Sequence, residues 1–372
     1  MPYLTIMFNN ILKDRIVSDE LKSGILTPVI KKNKDPTDFY NYRGITVKPV
    51  IGKVHEYCIL DKLNLQNSSD LQFGFTKGLC PLIASLLITE SKCEKSIPVI
   101  LSTVDVQSAF DVVQHTILFD KLLDQNIHPD LWLLVKNLYE GLTSKVKWMG
   151  KLSDSFNIKQ GVRQGGLLSS VFYKIFIQDL LDELERNSIG LHLGDIYVGT
   201  PTCADDLALL SSSEDETQLM LNVVHRYSQQ HFYNLHPTKT NIVEFNKQNN
   251  IENSWKLDGK NLCTTRSTTH LGFERSDKQE SEINIEERIK TSRRTKYSLM
   301  SSRLHGTNGI DPTTSYNIYK LYVLPRLLYG LEILALKTRD IEKLGRYIET
   351  ISVVTETSCH SFSLPTSWCF TH

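Results

Sequence analysis

The 372-residue chain has no surplus charge of either sign: 42 Lys and Arg are matched by 42 Asp and Glu. Nucleic-acid-binding domains often carry a global positive excess, and that signature is missing. The excess is local instead. From Lys22 to Lys53, seven basic residues stand against Asp35 and Asp38, and from Arg288 to Arg303 there are six basic residues and no acidic one. Local positive surfaces suffice to track a phosphate backbone. Cysteine is sparse and scattered, at Cys58, Cys80, Cys93, Cys203, Cys263, Cys359 and Cys369. The number is odd and no C-x-x-C pair occurs, which argues against a disulfide framework or zinc site and favours a reducing intracellular compartment. Long apolar runs are also missing. The nearest approach, residues 321–336, is broken by Pro325, Arg326 and Glu332, so no membrane span is expected. Met1-Pro2-Tyr3-Leu4 lacks a basic region leading into an apolar run, so no signal peptide is expected. There is no internal repeat and no low-complexity tract. A soluble chain remains, 40% apolar and long enough for two or three lobes with a full core.

Apolar spacing predicts an opening helix with Ile6, Phe8, Ile11 and Leu12 on one side. A strand follows at Ile25–Ile30, then a basic loop, then Ile45-Thr46-Val47. Helices are expected over 50–65 and 79–91, over 115–140 with a break near His128-Pro129, over Leu168–Arg186, and over 214–232 behind the cap Ser211-Ser212-Ser213. Pro98–Val104 is a short apolar run ending at Asp105, the pattern of a buried strand. Hairpins are expected from Val146-Lys147-Trp148 to Phe156-Asn157-Ile158 and around Gly194-Asp195. Thr202–Leu210 reads as strand, turn, strand with Asp205-Asp206 at the turn, and Ile242–Phe245 is a further strand. The polar stretch 246–254 reads as a loop. Composition turns charged, then basic and helical, after Leu271-Gly272-Phe273, which sets a lobe boundary near residue 275.

Three short motifs carry chemistry. Thr103-Val104-Asp105-Val106-Gln107-Ser108-Ala109-Phe110-Asp111 ends an apolar strand in a carboxylate. Cys203-Ala204-Asp205-Asp206-Leu207 sets two more at a turn, and Gln160-Gly161-Val162-Arg163-Gln164-Gly165-Gly166 lies between them. Asp-Asp alone is more often a solvated turn. Three carboxylates from two adjacent strands can hold two divalent cations about 3.5–4 Å apart, the arrangement that stabilises in-line phosphoryl transfer.

In order and spacing these motifs resemble the palm motifs of reverse transcriptases, most closely those of non-LTR (LINE-like) retrotransposons. Supporting stretches are Asn41–Val47, Gln72-Phe73-Gly74-Phe75, Pro237-Thr238-Lys239-Thr240, His270-Leu271-Gly272-Phe273 and Leu324–Gly330. The resemblance covers roughly residues 25–335. It implies an α+β right-hand polymerase fold with an antiparallel palm sheet, fingers and a helical thumb. Residues 1–275 would be fingers and palm, 276–349 thumb-like, and 350–372 a divergent tail. The implied activity is that of an RNA-directed DNA polymerase using template RNA, a DNA primer, deoxynucleotide triphosphates and Mg²⁺, with Mn²⁺ as a substitute.

Residue by residue, the resemblance makes Asp105, Asp205 and Asp206 catalytic metal ligands, with the Val106 carbonyl completing the nucleotide-side ion. Lys239 falls where the family carries a lysine that protonates departing pyrophosphate; a solvent-exposed lysine is the alternative. Phe110 falls where a ring packs under the incoming sugar, or it is core. Gln164 and Gly165 would lie against the nascent base pair, or form an ordinary turn before a helix. Lys32 and Arg43 resemble basic finger residues that close on the triphosphate, or are surface charge. The Arg288–Arg303 segment resembles a thumb helix that lays cations along the template–primer duplex, and Asp111 is expected to be structural. The chain departs from the family at Cys203, where Tyr or Phe usually opens the turn, at Gly166–Ser170, which lacks the usual proline, and in the tail. No endonuclease domain precedes the fingers, so a fragment or decayed copy of a larger polyprotein is expected. Two rival readings remain: an inactive nucleic-acid-binding remnant, and an RNA-dependent RNA polymerase, against which Phe110 argues.

Overall fold

The computed structural model describes residues 2–31, 34–65, 69–94, 98–247, 253–300 and 310–356. The chain forms two compact units, Met1–Thr265 and Arg266–His372. The longer strands of the first unit are β1 (Ser23–Ile30), β2 (Tyr42–Val47), β3 (Val99–Asp105), β4 (Thr143–Trp148), β5 (Asp206–Ser211) and β6 (Asn241–Phe245). Its longer helices are α1 (Pro2–Asp14), α2 (Val50–Leu63), α3 (Pro81–Cys93), α4 (His115–Asp124), α5 (Pro129–Tyr139), α6 (Leu167–Arg186) and α7 (Glu214–Gln230). The sequence predicts each of them to within a few residues.

Two sheets organise this unit. In one, β1 pairs antiparallel with β2 from Ile25↔Val47 to Ile30↔Tyr42, and parallel with β4 from Ser23↔Thr143 to Leu26↔Val146. The other is three-stranded and wholly antiparallel, in the order β6-β3-β5. Alternation along its strands sends Ile100, Val104, Leu207, Leu209 and Ile242 into the core shared with Phe172, Phe176, Leu180 and Leu181 of α6 and with Met220, Leu221 and Val224 of α7. The opposite face buries Val99, Leu101, Ala208, Leu210, Val243 and Phe245 with Ile88 of α3. Burial on both faces is why β3 reads as a mainly apolar run rather than a strict alternation, with Ser102 and Thr103 as its polar interior positions.

Some expectations need correction. Ile6 is exposed, and α1 is anchored by Phe8 and Ile11. The first arm of the Thr202–Leu210 unit is reduced to isolated bridges, Gln72↔Thr202 and Cys203↔Asp206. Cys203 and Asp206 exchange both backbone hydrogen bonds, at 3.1 and 3.0 Å, so Ala204-Asp205 is the turn and Asp206 is the first residue of a strand. Ser254–Leu257 and Lys260–Cys263 form an antiparallel hairpin that the sequence reading did not foresee.

The second unit begins with a hairpin, β7 (Ser267–His270) with β8 (Phe273–Ser276), followed by α8 (Glu280–Met300) and later α9 (Thr338–Glu356). The unit therefore starts before the boundary near 275, because the hairpin is bonded to the helix behind it. Arg275 forms a buried ion pair with Glu280 at 2.8 Å, and the Asn284 amide bonds both the N–H and the carbonyl of Glu274. Helix α9 continues past residue 350 to Glu356, and residues 357–372 of the tail lie outside the described residues. Among the described residues no helix is long and apolar enough to cross a membrane.

Candidate active site

The last rung of the β3–β5 ladder pairs Asp105 with Asp206. Counting in twos from Leu101 and Leu210 puts both on the face opposite α6 and α7, where the apolar cover has ended. Asp205 sits beside them at the turn. Asp205 and Asp206 are both exposed at the mouth, yet flanked by chain on other sides. Partial burial, then repulsion from Asp205 and Asp105, pushes Asp206 up to about 6. Asp205 is raised by burial and then by Asp105, against a backbone hydrogen bond and the charge of Arg43, which lower it. Among the described residues no three His, Cys, Asp or Glu side chains are gathered tightly enough to hold a metal ion as they stand. The donor set nevertheless fits a hard divalent cation, since carboxylate oxygens suit Mg²⁺ and their mutual repulsion is what a cation relieves.

The flanking chain supplies the rest. Lys239 is exposed, and its Nζ lies 3.1 Å from Asp105 Oδ2. Val106 bridges Leu235 antiparallel, but the hydrogen bonds there are made by its neighbours: Gln107 N–H to Asn234 O, and His236 N–H to Asp105 O. At such a position the residue's own carbonyl turns away from that partner, towards the side where β5 lies. Phe110 is half-buried. It stacks on Tyr173 at 4.9 Å between centroids and meets Phe75 edge-on at 6.5 Å, so it is both packed and partly open. Tyr173 is buried, and its hydroxyl is raised well above the usual tyrosine range by burial, then by Tyr233, Asp205 and Asp206.

Gln164 and Gly165 lie beside β2, the strand that carries Arg43. Thr46 N–H donates to Gln164 O at 2.9 Å, and a Cβ on Gly165, whose φ is +100°, would meet Thr46 O at 3.3 Å. Gln164 Nε2 donates to Asp111 Oδ1 at 3.3 Å. Asp111 is raised by burial, with Gln164 and Lys31 opposing. The loop is fastened at both ends. Buried Arg163 donates to the carbonyls of Lys22, Ser23 and Thr143, and Glu56, in a buried ion pair with Lys48, accepts from Leu167 N–H at the start of α6. Lys32 lies outside the described residues, whereas its neighbour Lys31 acts electrostatically on Asp111.

Two residues have a larger part here than the sequence suggested. Gln72 and Gly74, part of a supporting stretch in the sequence, lie directly against the Ala204-Asp205 turn. The available signal was a glycine between two aromatics, which marks close backbone approach.

In the second unit His270 is buried, with both ring nitrogens lacking a partner among the described residues. Burial, then Arg275, pushes it down to about 3. Its neutral imidazole therefore packs inside, and Leu271-Gly272 forms the tip of the hairpin, with Leu271 half-buried and Gly272 exposed. Arg288 of α8 donates to Gly272 O and lies over the Tyr329 ring at 4.8 Å. Lys290, Arg293 and Lys296 of α8, with Lys343 and Arg346 of α9, line a cleft of about 790 Å³ that also holds Tyr297 and Tyr347.

An antiparallel three-stranded sheet with carboxylates on the central strand and on the adjoining turn is the arrangement of a polymerase palm. The family model for reverse transcriptase (RNA-dependent DNA polymerase) matches residues 30–275, and the chain belongs to that family. Over 357 residues it is 26% identical to the RNA-directed DNA polymerase from mobile element jockey of Drosophila melanogaster, covering 91% of this chain and 38% of the relative. It is 23% identical over 351 residues to the probable RNA-directed DNA polymerase from transposon X-element of the same species, covering 89% and 37%. These relatives bear out the resemblance to non-LTR retrotransposon enzymes, and the chain spans well under half of their length. Among solved structures, apo telomerase from Candida tropicalis aligns with a TM-score of 0.53 at 13% identity, covering 95% of this chain and 63% of that one. At that identity the likeness establishes the fold alone.

Proposed function

We propose that this chain is the polymerase core of a retrotransposon reverse transcriptase, an RNA-directed DNA polymerase that extends a DNA primer along template RNA. The observation that carries this reading is the Asp105–Asp206 rung with Asp205 beside it. The primer 3′ oxygen attacks the α-phosphorus of a deoxynucleotide triphosphate as its proton passes to solvent water. A P–O bond forms as the bond to the β-phosphate oxygen breaks, releasing pyrophosphate. Mg²⁺, or Mn²⁺ in its place, held by Asp105, Asp205, Asp206 and the Val106 carbonyl, would supply charge neutralisation at the attacking and leaving oxygens. Lys239 gives a proton to the departing pyrophosphate. Arg43, joined by Lys32, closes on the triphosphate, for which a planar guanidinium offers paired donors. Phe110 lies under the sugar and rejects a 2′-hydroxyl, while Gln164 and Gly165 face the nascent base pair.

The first unit is assigned to fingers and palm, the second to the thumb. There the cationic side of α8, extended by Lys343 and Arg346, tracks the phosphates of the template–primer duplex. Work on cellular RNA and a chromosomal primer implies an intracellular site of action.

The test is extension of oligo(dT) on poly(A) with Mg²⁺, run beside Asp105→Ala and with ribonucleotides in a parallel arm. Extension with dTTP that disappears in Asp105→Ala supports the reading. Preferential use of UTP would reassign the chain as an RNA polymerase. Duplex binding without extension, unchanged by Asp205→Asn, would make it an inactive binding remnant.

A further inference from the structure

The turn that presents Asp205 is built at a cost. Ala204 has φ +59°, at the first central position of a two-residue loop, a place that such loops usually give to glycine. An L-residue in the left-handed region costs about 1–2 kcal/mol. Ala204 is also buried, so its N–H needs an acceptor inside the protein. That acceptor is Gln72. Its side chain is fully buried, and its Oε1 accepts from Ala204 N–H at 2.9 Å and from Gly74 N–H at 2.9 Å. Backbone bonds set the same register: Phe73 N–H donates to Thr202 O at 2.8 Å, and Thr202 N–H to Leu71 O at 2.9 Å. Contact is close enough that a Cβ on Gly74 would lie 2.2 Å from Ala204 N.

We propose that Gln72 is a positioning residue for the carboxylate pair, whose single amide oxygen holds the Ala204-Asp205 turn at the pitch that lets Asp205 and Asp206 share a cation. The inference rests on the polymerase reading for its purpose, but its geometry stands without it. Nothing else described on the 71–75 segment could take over, because Gly74 brings no side chain and the acceptor must reach the Ala204 amide from within the core. Gln72 Nε2 has no partner among the described residues, so the oxygen is the working end of the amide.

Two variants separate the oxygen from the bulk. Gln72→Met keeps the length and removes the acceptor. Gln72→Glu, held protonated by burial, keeps it. The first measurement is amide hydrogen exchange of the peptide spanning 200–208 in the metal-free protein. The expected result is about tenfold faster exchange at Ala204 in Gln72→Met, the loss of one hydrogen bond, with Gln72→Glu near wild type. The second is the Mg²⁺ dependence of primer extension. Gln72→Met is expected to need about tenfold more Mg²⁺ for half-maximal rate and to recover at high Mg²⁺, a rescue that general loosening of the fold would not give. Unchanged exchange at Ala204 in Gln72→Met would overturn the proposal. So would a loss of extension that Mg²⁺ does not restore, accompanied by a lower melting temperature. Should the wild-type protein extend no primer at all, the polymerase reading falls while the exchange comparison still decides the role of Gln72.

Discussion

Lys239 Nζ reaches Asp105 Oδ2 at 3.1 Å, so one carboxylate serves both the proposed proton donor and the proposed cation site. An ammonium and a divalent ion compete for the same oxygen. Lys239→Met is therefore expected to lower the Mg²⁺ concentration for half-maximal rate while cutting the maximal rate by about 10²-fold or more, the usual worth of a general acid. Metal titration of primer extension checks both numbers. A mutant that needs more Mg²⁺ than wild type would contradict the competition.

The acid cluster also sets a pH profile. Asp206 is pushed up to about 6, and only its ionised form can ligate a cation, so extension should rise as pH increases through 6. Added Mg²⁺ should move that rise to lower pH, because cation binding favours the ionised form. The stability term has the opposite sign. A carboxyl with a raised folded pKa binds more protons folded than unfolded, so its contribution falls as pH rises from about 4 to 6. Asp206→Asn should abolish extension yet melt higher than wild type at pH 8, and the gap should close by pH 4. Matching melting temperatures at both pH values would remove the repulsion from the account.

Phe110 tests sugar selection. Phe110→Ala opens the space beneath the sugar and is expected to raise ribonucleotide use relative to deoxynucleotide use by about 10-fold or more, in the range that apolar contacts discriminate. Competition between dTTP and UTP on one primed template measures it. Because Phe110 also stacks on Tyr173, some loss of melting temperature should accompany the change. Lower stability with unaltered selectivity would leave Phe110 as packing alone.

His270 predicts acid sensitivity of the second unit. Its pKa is pushed down to about 3, below the unfolded value near 6.5, so the unfolded state takes up a proton first as pH falls. Its contribution to stability is present at neutral pH and declines by about 3 kcal/mol between pH 7 and pH 4. His270→Phe should flatten that decline in denaturant titrations run at the two pH values. An imidazole resonance that titrates near pH 6.5 in the folded protein would refute the burial argument.

Strand ends and helix spans were readable because apolar periodicity is local information. The run Pro98–Val104 announces β3, and Ser213 announces α7, whose Glu216 N–H it caps. The chain order of Asp105 and Asp205-Asp206 was readable too, but their register was not, because antiparallel pairing is settled by contacts a hundred residues apart. Nor did periodicity foretell that Asp206 begins a strand rather than sharing the turn, which depends on two backbone bonds to Cys203. Gln72 was opaque for the same reason: a buried glutamine has no pattern of its own, and its partner lies 132 residues away. The hairpin Ser254–Cys263 escaped because its strands are short and alternate, with Trp255, Leu257 and Leu262 turned inward between exposed polar residues.

Arg163 has a mechanical consequence. Its guanidinium grips carbonyls at the feet of β1 and β4, while the next residue, Gln164, is bonded to β2. Any swing of that sheet must drag the glycine-bearing loop along as one rigid lever. Under the roles proposed above, a nucleotide closing on Arg43 would shift Gln164 and Gly165 at the nascent base pair through those same bonds.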